Sequence, residues 1–209
     1  MRILLISDSH GNNEAVDELI VKWPNIDLYL HAGDSESHPR SVYPFRVVRG
    51  NCDYSFDMED ELLIPTAFGN ILMRHKKEVS PKKLQEKNVK LYIYGHTHVP
   101  ECVKRKGVAF INPGSLAYPR SEYGPTYMVL NLEREKVDVA LYSFETHKVL
   151  KRFRVSLVEA VPEEVESEEE KLRKLSEIEQ LEKELATIEQ ELAEIRSKKK
   201  QWKLKNNIS

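Results

Sequence analysis

Cysteine is scarce, with only Cys52 and Cys102 in 209 residues. So few thiols exclude a disulfide framework and fit a reducing compartment. Charge of one sign is lacking as well: 32 Lys and Arg nearly balance 34 Asp and Glu, for a net charge of −2. A global basic field of the kind that nucleic acid or anionic membranes select is therefore excluded, and such a partner would need a local patch. Long apolar runs are missing too. The N-terminal stretch from Ile3 stops at Ser7, well short of a signal-peptide core or the roughly 20 residues of a membrane span. A soluble, cytoplasmic chain without a membrane partner is expected. Hydrophobic residues still make up 40% of the chain, enough to bury a core, so wholesale disorder is excluded even though charge runs above the usual level of about 25%.

Composition breaks near Val161-Pro162. Before it, apolar runs alternate with Gly, Pro, Asn and Asp turns; after it glycine is absent and Glu, Lys and Leu dominate. Ile3-Leu4-Leu5-Ile6 has the continuous apolar character of a strand buried on both faces, and Asn13 to Val21 has the spacing of an amphipathic helix. Strands at Asp27 to His31 and Phe45 to Val48 follow, which implies parallel pairing through a crossover helix. Glu61 to Ile64 and Asn70 to Arg74 predict strands around an Ala67-Phe68-Gly69-Asn70 turn. Ser80-Pro81 caps a short helix toward Asn88, and Leu91 to Tyr94 is a further buried strand. Gly107 to Ile111, Thr126 to Glu133, Val137 to Phe144 and Val149 to Val155 alternate as antiparallel strands do. The list fits an α/β sandwich of two sheets.

Each buried strand of this first part ends in residues able to bind a metal: Asp8-x-His10, Gly33-Asp34, Gly50-Asn51, Arg74-His75 and Gly95-His96-Thr97-His98. One Asp-x-His is weak, because Asp and His are ordinary loop residues. Five such strand ends in one domain form a constellation. Mixed carboxylate, imidazole and amide ligands suit borderline metals such as Mn²⁺, Fe²⁺ or Zn²⁺ better than Ca²⁺. Gly33, Gly50 and Gly95 adjoin the candidate ligands, where the backbone must turn sharply or pass close to metal or substrate.

These motifs, in the order Ser7-Asp8-Ser9-His10-Gly11-Asn12, His31-Ala32-Gly33-Asp34, Val48-Arg49-Gly50-Asn51-Cys52-Asp53, Gly95-His96-Thr97-His98 and Ile111-Asn112-Pro113-Gly114-Ser115, resemble the calcineurin-like metallophosphoesterases. The resemblance covers about residues 1 to 155 and points to their small single-domain phosphodiesterases of bacteria and archaea. It implies a two-sheet αββα sandwich over residues 1–157 and two divalent metal ions, with Mn²⁺ first and Fe²⁺, Ni²⁺ or Zn²⁺ as alternatives. Asp8, His10 and His98 would hold one ion, Asn51, His75 and His96 the other, and Asp34 would bridge them. The implied reaction is hydrolysis of a small phosphodiester by a metal-bridging hydroxide, with Asp34, Asn51 and His96 as the catalytic residues. Asn51, Asn112, Ser115 and Arg120 would bind the phosphate. Backbone carbonyls or Asp53 would orient the ligand histidines. Two departures stand out: His75-Lys76-Lys77 replaces the His-Gly-His of many relatives, and Cys52 stands where larger phosphatases place a proton-donating His. Lys76 and Lys77 are read either as phosphate attractors or as solvated loop lysines. His31 and His38 flank the Asp34 motif, His147 falls in a late strand, and all three are read as non-ligands. A second reading is a protein-binding scaffold with weak or no activity, since the superfamily includes a retromer subunit that uses the fold in this way. The ligand positions that remain filled favour the enzyme.

From about 163 to 205 nothing breaks a helix, and Ile178, Leu181, Leu185, Ile188, Leu192 and Ile195 follow steps of three and four, a coiled-coil seam. Its stripe must pack on the domain, a second copy or another protein, and a homo-oligomer through this helix is expected. In a parallel pair Glu177 would meet Glu182 of the partner helix and Glu184 would meet Glu189, while only Glu191 with Arg196 attracts. An antiparallel or bundled arrangement is therefore favoured. The terminal lysines are read as solvated, so nucleic acid is not an expected partner.

Overall fold

In chain order the elements are β1 (Arg2–Ile6), α1 (Asn13–Lys22), β2 (Leu28–His31), β3 (Arg46–Val47), β4 (Glu61–Thr66), β5 (Gly69–Arg74) and α2 (Pro81–Glu86). They continue with β6 (Val89–Ile93), β7 (Glu101–Arg105), β8 (Val108–Asn112), β9 (Thr126–Leu132), β10 (Lys136–Ser143), β11 (Val149–Ser156) and α3 (Glu168–Lys205). The computed structural model describes residues 1–54, 57–158 and 168–205, divided into the units Met1–Glu159 and Ala160–Ser209.

β1 is apolar at successive positions because both of its faces are buried. Ile3 and Leu5 point into the space between two sheets, while Leu4 and Ile6 point outward against Val16 and Leu19 of α1, the alternation that a pleated strand imposes. Asn12 starts α1 by accepting the Ala15 amide at 3.1 Å, which satisfies one of the donors a helix start leaves open.

The first sheet has the order β11-β10-β9-β1-β2-β3 and the second β4-β5-β6-β8-β7. Pairing is parallel between β1 and β2, β2 and β3, β5 and β6, and β6 and β8. Ile71, Met73, Leu91, Ile93 and Ile111 of the second sheet meet Ile3, Leu5 and Leu30 of the first in one central core. Leu84 of α2 covers Leu72, Tyr92 and Phe110 on the outer face of the second sheet. The result is the αββα sandwich. Because the central strands run parallel, the loops after β1, β2, β3, β5, β6 and β8 gather at one edge, where open α/β sheets present their ligand sites.

Four local features differ from the sequence reading. Glu101–Arg105 is a strand that the reading passed over, because Lys104 and Arg105 alternate with little apolar content. It pairs with β8 through a two-residue turn at Lys106-Gly107, both at positive φ (47° and 78°), the primed geometry that matches strand twist. The β4–β5 connection is likewise tighter than expected, since β5 already begins at Gly69 and pairs it with Thr66. β3 keeps only Arg46 and Val47 of the expected Phe45 to Val48. His147 sits in the turn between β10 and β11 rather than in a strand, with Nδ1 3.2 Å from the Tyr127 hydroxyl and Nε2 2.6 Å from Glu18.

The second unit contains α3, 38 residues and about 57 Å long at 1.5 Å per residue. Ile178, Leu181, Leu185, Ile188 and Leu192 are exposed along it. Residues 163–167 of the expected helix, and the side chain of Ile195, lie outside the described residues. No helix among the described residues is long and apolar enough to cross a membrane.

Candidate metal centre

Short polar loops at the parallel-strand edge carry the candidate ligands, and the backbone knits those loops together. Asp8 N donates to Gly33 O and His10 N to Asp34 O, both at 3.0 Å, while Gly95 N donates to His75 O at 3.0 Å. Asp8, His10, Asp34, His96 and His98 all have φ between 46° and 64°. Such a left-handed backbone is uncommon outside glycine and is held only where surroundings over-determine it.

The expected ligands form two groups, and His10 also meets Glu36 and Cys52 in a third group of possible ligand atoms. Ligand atoms of Asp8, His10 and His98 lie within 4.8 Å of one another, as do those of Asp34, His75 and His96. Asp8 touches both, because its Oδ1 is 3.0 Å from His98 Nε2 and its Oδ2 accepts the His96 amide at 3.1 Å. Asn51 joins the second group through its Oδ1, 3.1 Å from His75 Nε2. His75 itself is turned inward, with Nε2 3.2 Å from Asp34 Oδ2.

Three histidines share one tautomeric logic. Nδ1 of His75 faces Ala32 O at 2.8 Å, Nδ1 of His98 faces Tyr118 O at 2.6 Å, and Nδ1 of His10 faces the Glu36 carboxylate at 2.5 Å. Each Nδ1 therefore donates its hydrogen to an oxygen, which leaves a lone pair on each Nε2. Those of His75 and His98 face Asp34 and Asn51, and Asp8, respectively, so like would meet like unless a proton or a metal cation lies between them. Two donors about 2.1 Å from one ion and at right angles to each other stand roughly 3 Å apart, the spacing seen here. Asp8 Oδ1 and His10 Nε2 are also buried without a hydrogen-bond partner; the 3.0 Å approach of His98 to Asp8 Oδ1 lacks hydrogen-bond alignment. The donor set fits divalent metal ions on these grounds.

Protonation follows from the same packing. Burial pushes the Asp34 carboxyl up, but the hydrogen bonds from His75 and the Cys52 amide outweigh it and hold the pKa at about 2. Burial likewise disfavours imidazolium at His75, yet Asp34 and Asp8 prevail and its pKa is raised. The Asp8 carboxylate, partly opposed by burial, raises His98. Burial and the neighbouring His75 lower His96. His31, fully buried beneath the ligands, is lowered to about 4 by desolvation despite the nearby Asp8. Its Nδ1 accepts the Gly33 amide at 3.2 Å and its Nε2 lies 2.9 Å from Ser9 Oγ, so it braces two ligand loops as a neutral ring.

Several expected roles fall to other atoms. Asp53 orients no histidine; its carboxylate accepts the amides of Asp34 at 2.8 Å, Glu36 at 2.7 Å and Gly50 at 2.8 Å. Glu36 instead orients His10. Sequence reading missed it because an acidic residue in a Ser-rich loop resembles a solvated one, and its position two residues after Asp34 was the available signal. Asn112 and Ser115 are fully buried. Asn112 spends both amide hydrogens on Gly95 O and Thr97 Oγ1, and Ser115 Oγ donates to Asp8 O and accepts the amides of Ala117 and Tyr118. Neither keeps a donor for a phosphate oxygen, so both serve as loop supports. Arg120 is exposed, its amide tied to His98 O at 3.1 Å. Lys77 turns to Glu101, 2.9 Å away, over the Tyr94 ring, whereas Lys76 lines a cavity with Asn51 and His75. Cys52 donates its amide to Asp34 Oδ1 at 2.7 Å, and burial together with Asp34 pushes its thiol up to about 11.

Known proteins are similar to this chain. The Bacillus subtilis (strain 168) protein named probable metallophosphoesterase YsnB is 33% identical over 153 residues, covering 68% of this chain and 90% of that protein. Phosphodiesterase YfcE of Escherichia coli (strain K12) is 26% identical over 162 residues, covering 63% of this chain and 88% of its own. A conserved Streptococcus pneumoniae TIGR4 protein, described as a predicted phosphoesterase, superposes with a TM-score of 0.68 at 26% identity over 74% of this chain and 97% of that one. With a sequence model of the calcineurin-like phosphoesterase superfamily domain matching residues 1–135, over a sandwich whose parallel-strand edge gathers the ligands, the chain belongs to that superfamily and is a metal-dependent phosphoesterase.

Proposed function

We propose that the chain is a phosphodiesterase acting on small phosphodiesters with two divalent metal ions. Asp8, His10 and His98 would hold one ion, Asn51, His75 and His96 the other, and Asp34 would serve both. The observation that carries this reading is the pair of ligand groups, Asp8/His10/His98 and Asp34/His75/His96, in which the Nδ1 of His10, His75 and His98 is taken up by an oxygen and Nε2 is left to bind an ion. When bound, such ions polarise the phosphoryl group and activate water near neutral pH. The chain's own residues do the rest. Asp34, ionised already in the metal-free protein, would bring the negative charge both ions need. Exposed Asn51 and His96 face the reacting group, and Arg120 takes a non-bridging oxygen. Buried Asn112 and Ser115 keep the loops of His96, His98 and Asp8 in register. The retained ligands favour an enzyme over a protein-binding scaffold, and the near-neutral charge favours a small diester over a polynucleotide.

The test is hydrolysis of bis(4-nitrophenyl) phosphate, with a panel of natural diesters and monoesters, by protein reconstituted with Mn²⁺, Fe²⁺, Ni²⁺ or Zn²⁺. Activity should depend on the added metal. In Asp34→Asn it should fall by about two orders of magnitude or more while circular dichroism stays unchanged. A folded, metal-loaded wild-type protein that turns over no diester would refute the reading and leave the scaffold.

A further inference from the structure

Next to the second ligand group lies a cavity of about 230 Å³ lined by Arg49, Asn51, Asp60, Arg74, His75 and Lys76, among others. Three cationic side chains face one carboxylate there, in a chain whose net charge is −2. Arg49 is anchored at one end, with Nη2 donating to Met58 O at 2.7 Å and Nη1 3.6 Å from Asp60. Arg74 donates from Nη1 to Glu78 O at 3.2 Å. Its Nε is 3.6 Å from Glu61, a carboxylate already engaged by Lys83 and Lys87. The Nε–H groups of both arginines are buried and make no hydrogen bond, and Arg74's has only the Glu61 carboxylate, 3.6 Å away. Lys76 is exposed beside them.

We propose that this cavity is an anion subsite that takes a second, terminal phosphate group of the diester substrate. The inference rests on the diesterase reading of the adjoining centre and names the class of substrate: phosphodiesters with a further phosphate on the Asn51–His75 side. Size supports a single group, because the cavity is smaller than the roughly 300–1,000 Å³ that hold a whole small molecule. Chemistry supports phosphate: a guanidinium offers parallel N–H donors to its oxygens, and an ammonium adds a point charge. Asn51 and His75 belong to both walls, so one molecule can span the subsite and the centre.

The test is titration of methyl phosphate into the metal-free full-length protein, followed by the arginine Nε–H resonances in nitrogen-edited NMR spectra. The Arg49 and Arg74 signals should shift saturably. Lys76→Ala, an exposed position that leaves packing alone, should weaken the affinity about tenfold, as loss of a charge-assisted contact does. Arg49→Gln is the second variant and should weaken it at least as much. Signals that stay still to tens of millimolar, or an affinity that neither variant changes, would overturn the subsite. Turnover of bis(4-nitrophenyl) phosphate by the Mn²⁺-loaded protein reports separately on the diesterase reading. If turnover is present and methyl phosphate does not bind, only the subsite fails; if binding occurs without any turnover, the diesterase reading fails, and with it the assignment of the cavity to a diester's second phosphate, leaving an anion site alone.

Discussion

Glu36 and His31 illustrate how single residues outside the proposed ligand set bear on the candidate centre. The Glu36 carboxylate lies 2.5 Å from His10 Nδ1, and partners of this kind set tautomer and basicity in metal-binding histidines. Glu36→Ala should therefore lower metal affinity about 10- to 100-fold in calorimetric titration, while Glu36→Gln, which keeps an acceptor oxygen, should recover part of it. His31 acts on stability. Its folded pKa of about 4 lies below the ordinary 6.5, so the unfolded chain binds more protons between those values and stability falls as pH drops from 7 toward 4. The loss is about 3 kcal/mol at 1.36 kcal/mol per unit. His75 and His98, both raised, work in the opposite sense in metal-free protein, contributing below about 6.5 and losing that contribution as pH rises. Comparison with His31→Gln isolates the His31 part: urea unfolding at several pH values should give a shallower acid-side slope in the variant. An equal slope would count against a neutral buried ring.

At the scale of elements, the centre depends on how closely strand ends approach. A Cβ on Gly50 would fall 2.0 Å from Asp34 Oδ1 and 2.2 Å from Asp34 N, and one on Gly95 would fall 1.9 Å from Ser7 Oγ. Backbone has to move to accept the first, whereas the Ser7 and Asp8 side chains have to give way to the second. Gly50→Ala should thus cost about 1–3 kcal/mol, as overpacking does, and should displace Asp34 enough to weaken metal binding; thermal melts with and without Mn²⁺ check both. A variant that melts like wild type and still gains stability from Mn²⁺ would show that the loops yield more than their packing suggests. The same parallel-strand edge explains why the ligands were readable early. An apolar strand followed by a polar turn is a local pattern, whereas the pairing of Glu101–Arg105 with β8 was not, because its one signal was the Lys106-Gly107 turn.

For the whole molecule, α3 presents Ile178, Leu181, Leu185, Ile188 and Leu192 as an exposed stripe. We propose that a second copy covers it in an antiparallel or bundled arrangement. Burial of each Ile or Leu is worth about 1.5–3 kcal/mol, while like-charged glutamates on one flank cost only tenths each, so apolar burial drives association and charge selects the orientation. Truncation after Val161 should give a monomer with metal affinity and diesterase activity intact, since no candidate ligand lies beyond His98. Multi-angle light scattering of both forms measures this, and a full-length monomer at tens of micromolar would rule out self-association.

What the sequence determined by itself is local in origin. Runs such as Ile3–Ile6 and Leu91–Tyr94 announce buried strands, and Asp8, His10, Asp34, His75, His96 and His98 announce a metal site, because ligand chemistry requires those side chains beside turns. The long helix is equally legible, since its i, i+3, i+4 spacing and lack of glycine are properties of consecutive residues. Tertiary structure alone decided which atoms support the ligands. The carbonyls of Ala32 and Tyr118 carry no side-chain signature, and Glu36 reaches His10 only because β1 and β2 lie side by side. Asn112 and Ser115 look like phosphate binders in sequence, yet packing behind Asp8 and Gly95 commits their donors inward. The cationic cavity is also a tertiary product: Arg49 lies in the loop after β3 of one sheet and Arg74 ends β5 of the other, and only the stacking of those sheets brings the two to one cavity.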